Sequence, residues 1–170
     1  VVETSEEVLE KFTNDRFIPI EDLPDTVLLP NEYLYLTSKN NSHKKKLGRF
    51  SKKKNGIVPL INKRDGIWGI FPKNQEQQFA LDALLNDEVN LVSLVGKAGT
   101  GKTLLAIAAG LEATINKQTY TRVLVSRPII PMGRDLGFLP GDINEKLGPW
   151  MQPIFDNIDY LFDNKRGERD

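Results

Sequence analysis

The residues Gly96-Lys97-Ala98-Gly99-Thr100-Gly101-Lys102-Thr103 fit the pattern G-x-x-x-x-G-K-[ST] at every fixed position. Those residue types at that spacing carry a specific chemistry. Successive backbone N–H groups cradle phosphates, the lysine neutralises the terminal phosphate, and the closing hydroxyl ligates Mg²⁺. The flanks are those the chemistry needs. Leu91-Val92-Ser93-Leu94-Val95 reads as a buried strand, and Leu104-Leu105-Ala106-Ile107-Ala108-Ala109 reads as the start of a helix. A helix N-terminus behind a glycine-rich turn attracts anions, because its unpaired N–H groups and its dipole face the same way. The expected nucleotide-binding set is therefore Gly96, Lys97, Ala98, Gly99, Thr100, Gly101, Lys102, Thr103 and Leu104. Lys102 has a catalytic role in it, and Thr103 is the Mg²⁺ ligand. A chance glycine turn with a solvated lysine is the competing reading, and these flanks argue against it.

Two further positions could complete a nucleotide site. Asn74 to Leu85 reads as a helix capped by Asn74, with Phe79, Ala80, Ala83 and Leu84 as its apolar face. A glutamine in that first turn can donate and accept at once, as adenine N6 and N7 require. The spacing of Asn74, Gln77, Ala80 and Leu81 resembles the glutamine motif of superfamily-one helicases, with Gln77 in the reading position. A solvated polar first turn is the alternative. Thr121 to Ser126 reads as a second buried strand, joined to the first by the helix in a right-handed β-α-β unit. Ligands bind beyond the carboxyl ends of such strands. Arg127 stands there, either beside phosphate or nucleic acid, or pairing a carboxylate in the loop that follows.

The elements that must position these residues fit in 170 residues. With 39% hydrophobic and 27% charged residues the chain can bury a core. There is no cysteine and His43 is the only histidine, so disulfides, thiol chemistry and zinc-finger spacing are excluded. No apolar run reaches membrane-spanning length and no signal peptide is visible. A cytoplasmic protein without membrane partners is expected. The chain starts at Val1 and reads as a piece of a longer protein.

A formal net charge of zero hides a strong pattern. Residues 1–32 carry a balance of −7, residues 33–64 of +10 and residues 65–170 of −3. The basic stretch reads as β-rich. Tyr33 to Thr37 is one strand, Asn40-Asn41-Ser42 a turn, and Leu47 to Phe50 a second strand. Lys54-Asn55-Gly56 is a hairpin turn, and Ile57 to Ile61 a third strand, at an edge because of Pro59. Lys44, Lys45, Lys46, Arg49, Lys52, Lys53 and Lys54 are the candidate contacts to RNA phosphates. Equally, lysines at hairpin tips keep a small sheet soluble and block edge pairing. Ser5 to Phe12 reads as a short helix capped by Ser5, with Asp22 to Pro30 as linker. The expected division is 1–30 for helix and linker, 31–70 for the basic module and 71–170 for the phosphate-binding core.

Beyond Ser126 the loop from Pro128 to Gly141 is dense in proline and glycine. Asp142-Ile143-Asn144-Glu145 resembles a capping box. From Ile143 to Phe162 apolar residues recur every three or four, a core or interface stripe that Pro149 and Pro153 are expected to break or kink.

The phosphate loop through Leu111, Ser126-Arg127-Pro128 and Leu136-Gly137-Phe138-Leu139-Pro140-Gly141-Asp142 together resemble the PhoH-like P-loop ATPases. Residues 72–85 and Pro30-Asn31-Glu32 extend the likeness over most of the chain. The resemblance implies an α/β fold with a RecA-like P-loop core, its parallel sheet incomplete here, preceded by the small basic β-module. It implies ATP and Mg²⁺ as cofactors, RNA as substrate, helicase-type activity and a ring-shaped homo-oligomer. The acidic start and basic module look like the connection that follows a PIN-type ribonuclease domain in such proteins. One departure stands out. Such an ATPase needs a further strand ending in Asp-Glu to hold Mg²⁺ through water, and none follows Val125. Asp156 and Asp163 fall on the helical stripe, and the family's acidic strand is expected beyond Asp170. This chain is expected to bind ATP and to hydrolyse it poorly. An ATP-driven RNA motor leads. A nucleotide-switched RNA-binding module and a P-loop kinase are the rivals.

Overall fold

A computed structural model describes residues 1–23, 26–39, 45–61, 66–126 and 143–167, with the backbone alone at 143–147, 149, 150, 166 and 167. Asn40-Asn41-Ser42, Lys44, Arg127 and the loop 128–142 lie outside the described residues. The architecture is mixed α/β, and the chain divides into two compact units, Val1–Ile61 and Asn62–Asp170.

The first unit is a sheet with one helix against it. β1 (Val2–Thr4) leads into α1 (Glu6–Asp15). The Ser5 hydroxyl caps α1 by accepting from Val8 N (3.3 Å), and Arg16 ends it in the left-handed conformation (φ 56°). β2 (Ile18–Pro19), β3 (Tyr33–Ser38), β4 (Lys45–Ser51) and β5 (Gly56–Pro59) complete a sheet of order β1-β3-β4-β5-β2. β1 runs parallel to β3, and the other pairs are antiparallel. Leu9 and Phe12 of α1 meet Ile18, Leu34, Leu36, Phe50 and Ile57 in one apolar cluster. Three strands alone would leave that sheet face wet, so the helix is part of the unit rather than an appendage. Residues 1–23 thus belong to the sheet unit, where a separate helix and linker are expected from sequence. Lys11 reaches back to Asp22 (2.8 Å), and this hydrogen bond and the carboxylate's charge raise the lysine pKa above its usual value.

The hairpin between β4 and β5 turns through residues 52–55, with Asn55 left-handed at φ 50°. β5 is not the edge that Pro59 suggests. β2 covers Gly56 and Ile57 but is too short to reach Pro59. The missing proline N–H therefore costs no ladder bond to β2.

Among the described residues the second unit contains the α-helices α2 (Gln75–Leu84), α3 (Lys102–Leu111) and α4 (Ile143–Gly167), with a π-helical turn, Glu112–Asn116, continuing α3. α2 and α4 both pack against α3. The buried face of α2 carries Leu81 and Asp82, continued by Leu85 and Asn86, while Phe79, Ala80, Ala83 and Leu84 are half-buried. That face is rotated from the one expected. α4 runs through Pro149 and Pro153 without a break. Each proline removes one ladder bond, but Ile154, Leu161, Met151 and Ile158 dock on α3, and that packing outweighs the lost bonds.

A two-residue turn locks the core of this unit. Ile67 and Ile70 exchange backbone hydrogen bonds (2.9 and 2.8 Å) around Trp68 and Gly69, both at positive φ (51° and 68°). This is the geometry of a tight hairpin turn. It is strained for tryptophan, and the return is burial. Trp68 sits among Ile107, Ala108, Ile154 and Leu161, edge-on to Phe162 (5.0 Å) and under the Lys165 ammonium (3.9 Å).

The two strands expected in this unit do not form a ladder. Leu91–Val95 and residues 121–126 pair with no strand among the described residues, so the parallel sheet expected here is absent from them. The first segment keeps a strand's alternation, with Val92 and Leu94 half-buried and Leu91 and Val95 exposed. Val123 lies close along α3, where a Cβ on Gly110 would come within 3.1 Å of its methyl. A strand's backbone groups are satisfied by its neighbours, so a strand-like sequence shows a ladder only where another strand lies beside it.

Candidate functional site

The site is the turn between Val95 and α3. Gly99 (φ 77°) and Gly101 (φ 84°) both adopt left-handed backbone, which other residues enter only under strain. Alternating left- and right-handed residues point successive N–H groups toward one side, forming an anion-binding concavity. Gly101 caps α3, whose first intrahelical bond runs from Leu105 N to Gly101 O (2.9 Å). The N–H groups of Lys102, Thr103 and Leu104 have no partner in the helix ladder, and they add to the cradle.

Side chains hold the loop in shape. Thr100 Oγ1 donates to Lys97 O (2.9 Å). Lys102 Nζ donates to Gly96 O (2.9 Å) and Lys97 O (2.7 Å), and lies 3.3 Å from Thr100 Oγ1. The ammonium is thus within the loop, bound to carbonyls that a phosphate oxygen would outcompete as partners. Residues 96–100 and Thr103 are exposed, so an anion can reach them. Leu104 is half-buried against the cluster that holds Trp68, which anchors the helix behind the loop. Phosphate donors, a lysine and an accessible hydroxyl fit a nucleotide triphosphate with its Mg²⁺. Mg²⁺ would neutralise phosphate charge there, with Thr103 as its ligand. No cluster of three or more His, Cys, Asp or Glu occurs among the described residues. We expect Thr103→Ala to weaken Mg²⁺-ATP binding about tenfold, or about 1.4 kcal/mol. Mg²⁺-free ATP should lose much less. Calorimetric titration with and without EDTA checks this.

Asn74 and Gln77 lie at the start of α2. Asn74 Oδ1 caps the helix by accepting from Gln77 N (2.9 Å). Beside this turn opens a cleft of about 580 Å³, lined by Pro72, Lys73, Asn74, Gln75, Glu76 and Gln78. It is wide open to solvent rather than enclosed. The Gln77 amide is instead bonded to the phosphate loop, with Nε2 donating to Thr100 O (3.2 Å). Asp156 and Asp163 are exposed on α4, and Asp156 accepts from Gln152 Nε2 (2.8 Å). Neither stands at a strand end.

In the first unit Lys45 and Lys46 are exposed on β4, and Lys52, Lys53 and Lys54 are exposed in the hairpin turn. Arg49 differs. It is buried, and its guanidinium donates to Asn31 Oδ1 (2.9 Å). Asn31, itself at φ 63°, donates its N–H to Phe50 O, and Phe50 N donates to Glu32 O. Arg49 therefore ties the turn at Pro30-Asn31-Glu32 to β4, and the set of candidate phosphate contacts reduces to lysines. No local pattern separates Arg49 from the exposed lysines, because its partner Asn31 lies eighteen positions away. Trp68 is the residue that sequence reasoning missed. Its signal was Gly66-Ile67-Trp68-Gly69-Ile70, a turn bracketed by apolar residues.

Comparison with known proteins settles the family. The model of the family described as PhoH-like protein matches residues 69–169, more than half of the chain. The chain belongs to the PhoH-like family. Relatives named Protein PhoH2 are 42% identical over 98% of this chain (Bacillus subtilis strain 168) and 46% identical over 68% of it (Mycolicibacterium smegmatis). Protein PhoH of Escherichia coli K12 is 40% identical over 51% of the chain. The chain spans 38% of the Bacillus relative, 26% of the Mycolicibacterium one and 24% of the Escherichia one. No solved structure matches the chain. No helix among the described residues is long and apolar enough to cross a membrane.

Proposed function

We propose that this chain is the ATP-binding portion of a PhoH-like ATPase that remodels RNA, with a RecA-like P-loop core and Mg²⁺ as cofactor. The observation that carries the nucleotide reading is the loop itself. Gly99 and Gly101 are left-handed, Lys102 is centred on the loop carbonyls, and α3 begins behind it. The first unit offers the RNA side, through exposed Lys45, Lys46, Lys52, Lys53 and Lys54 in a stretch whose balance is +10. Arg127 is proposed beside the phosphates, and a homo-oligomeric ring as the assembly of the whole protein. ATP turnover by the longer protein, measured with and without RNA, tests the motor reading. Stimulation by RNA supports it. RNA affinity that changes with ATP while turnover ignores RNA would replace the motor with a nucleotide-operated switch.

The lysine surface makes a second prediction. Counterion release gives a log–log salt slope of about −0.7 per phosphate contacted on single strands. Replacing Lys52, Lys53 and Lys54 with serine should flatten that slope by about two units and leave ATP affinity unchanged. Fluorescence anisotropy with a labelled single-stranded RNA at several salt concentrations reads it. An unmoved slope means that the turn only keeps the sheet soluble.

A further inference from the structure

One side chain joins the phosphate loop to the first turn of α2. Gln77 Oε1 accepts from Lys73 N (2.7 Å), and Gln77 Nε2 donates to Thr100 O (3.2 Å). Both partners are main-chain groups of fixed polarity. Only the amide oxygen can face an N–H and only the amide nitrogen can face a carbonyl, so the orientation of the amide is determined. The donor and the acceptor that an adenine edge would need are thus both engaged within the chain.

The bond to Thr100 has a geometric consequence. A trans peptide unit is planar, so the N–H of Gly101 points opposite to the C=O of Thr100. Holding that carbonyl aims the Gly101 N–H. Gly101 closes the loop at φ 84° and caps α3, and its position leaves only 3.4 Å between an added Cβ and Gln77 Nε2. Without the glutamine nothing else described holds the Thr100 carbonyl, and the plane is free to rock.

We propose that Gln77 is a positioning residue for the phosphate loop. It clamps the Thr100–Gly101 peptide plane so that the Gly101 N–H faces the bound phosphate, whatever base the nucleotide carries. This rests on reading the loop as a phosphate site.

The test is calorimetric titration of the 170-residue chain with Mg²⁺-ATP, Mg²⁺-GTP and inorganic tripolyphosphate. The variants are Gln77→Ala and Gln77→Glu. The second keeps an acceptor for Lys73 N, loses the donor to Thr100 and adds a negative charge beside the loop, so the neutral Gln77→Ala variant carries the affinity comparison. Neither removes the backbone N–H that Asn74 caps. In Gln77→Ala we expect all three ligands to weaken by the same factor, about 3- to 10-fold for the lost bond to the Thr100 carbonyl, with the ATP/GTP ratio unchanged in both variants. The Gly101 amide resonance should shift in both variants while the melting midpoint of Gln77→Glu stays at the parent value. Loss confined to ATP, with tripolyphosphate affinity and the Gly101 resonance unmoved, overturns the proposal and makes Gln77 a base reader. Lys102→Ala is the control. If it leaves tripolyphosphate binding intact, the phosphate-site reading itself fails. If it abolishes binding while the Gln77 variants match the parent, only the clamp fails.

Discussion

Lys102→Ala should lower ATP affinity by roughly 100-fold or more, about 2.7 kcal/mol at the least. Two effects add. The phosphate loses a charge-assisted partner, which is worth about 1.5–3 kcal/mol. The loop also loses the ammonium that holds Gly96 O and Lys97 O together, at 2.9 and 2.7 Å. The second effect means that the empty loop should relax as well. Calorimetry reads the affinity, and amide hydrogen exchange across residues 96–101 reads the relaxation. Affinity within threefold of the parent would remove the nucleotide assignment. Thermal stability should change little, because residues 96–100 are exposed and contribute nothing to the apolar core.

Trp68→Ala should do the reverse. It should destabilise the second unit by about 3–5 kcal/mol, a large part of the 5–15 kcal/mol typical of a folded domain. The indole is 5% exposed and supports both α3, through Ile107 and Ala108, and α4, through Ile154 and Leu161. Removing it leaves a void between them and releases the Phe162 and Lys165 contacts. Alanine at φ 51° does not escape the left-handed strain either. Trp68→Phe should cost much less. The indole Nε1 is buried without a hydrogen-bond partner among the described residues, so losing that nitrogen carries no bond penalty. Urea unfolding followed by circular dichroism ranks the variants. An alanine variant as stable as the parent would mean that the turn at Trp68 is an ornament on the unit.

How much of this was legible in the sequence follows from the range of the interactions involved. The loop and its capped helices were, because their signals are local. Ser5 and Asn74 cap helices within three residues, and Gly99 and Gly101 meet a backbone requirement on the spot. The hairpin at Asn55 was legible for the same reason. The burial of Arg49 was not, since it depends on Asn31, eighteen positions away. Nor was the inclusion of residues 1–23 in the sheet, which β3 and β5 decide by pairing with β1 and β2. Gln77 is the instructive case. Its place in the first turn was evident, but the direction of its amide was set by Thr100, far away in sequence. Leu91–Val95 was strand-like by composition, and composition cannot supply the neighbour that a ladder requires.

That last segment has a thermodynamic corollary. Leu91 and Val95 are 88% and 94% exposed, Leu124 is 84% exposed, and Gly96 follows Val95 directly into the phosphate loop. Any strand that came to lie beside Leu91–Val95 would stiffen the base from which the loop springs, and the nucleotide's hold would tighten by some factor. Linkage makes that factor mutual, so nucleotide would tighten the strand's hold equally. A nucleotide bound here would therefore act as an adhesive between pieces of polypeptide.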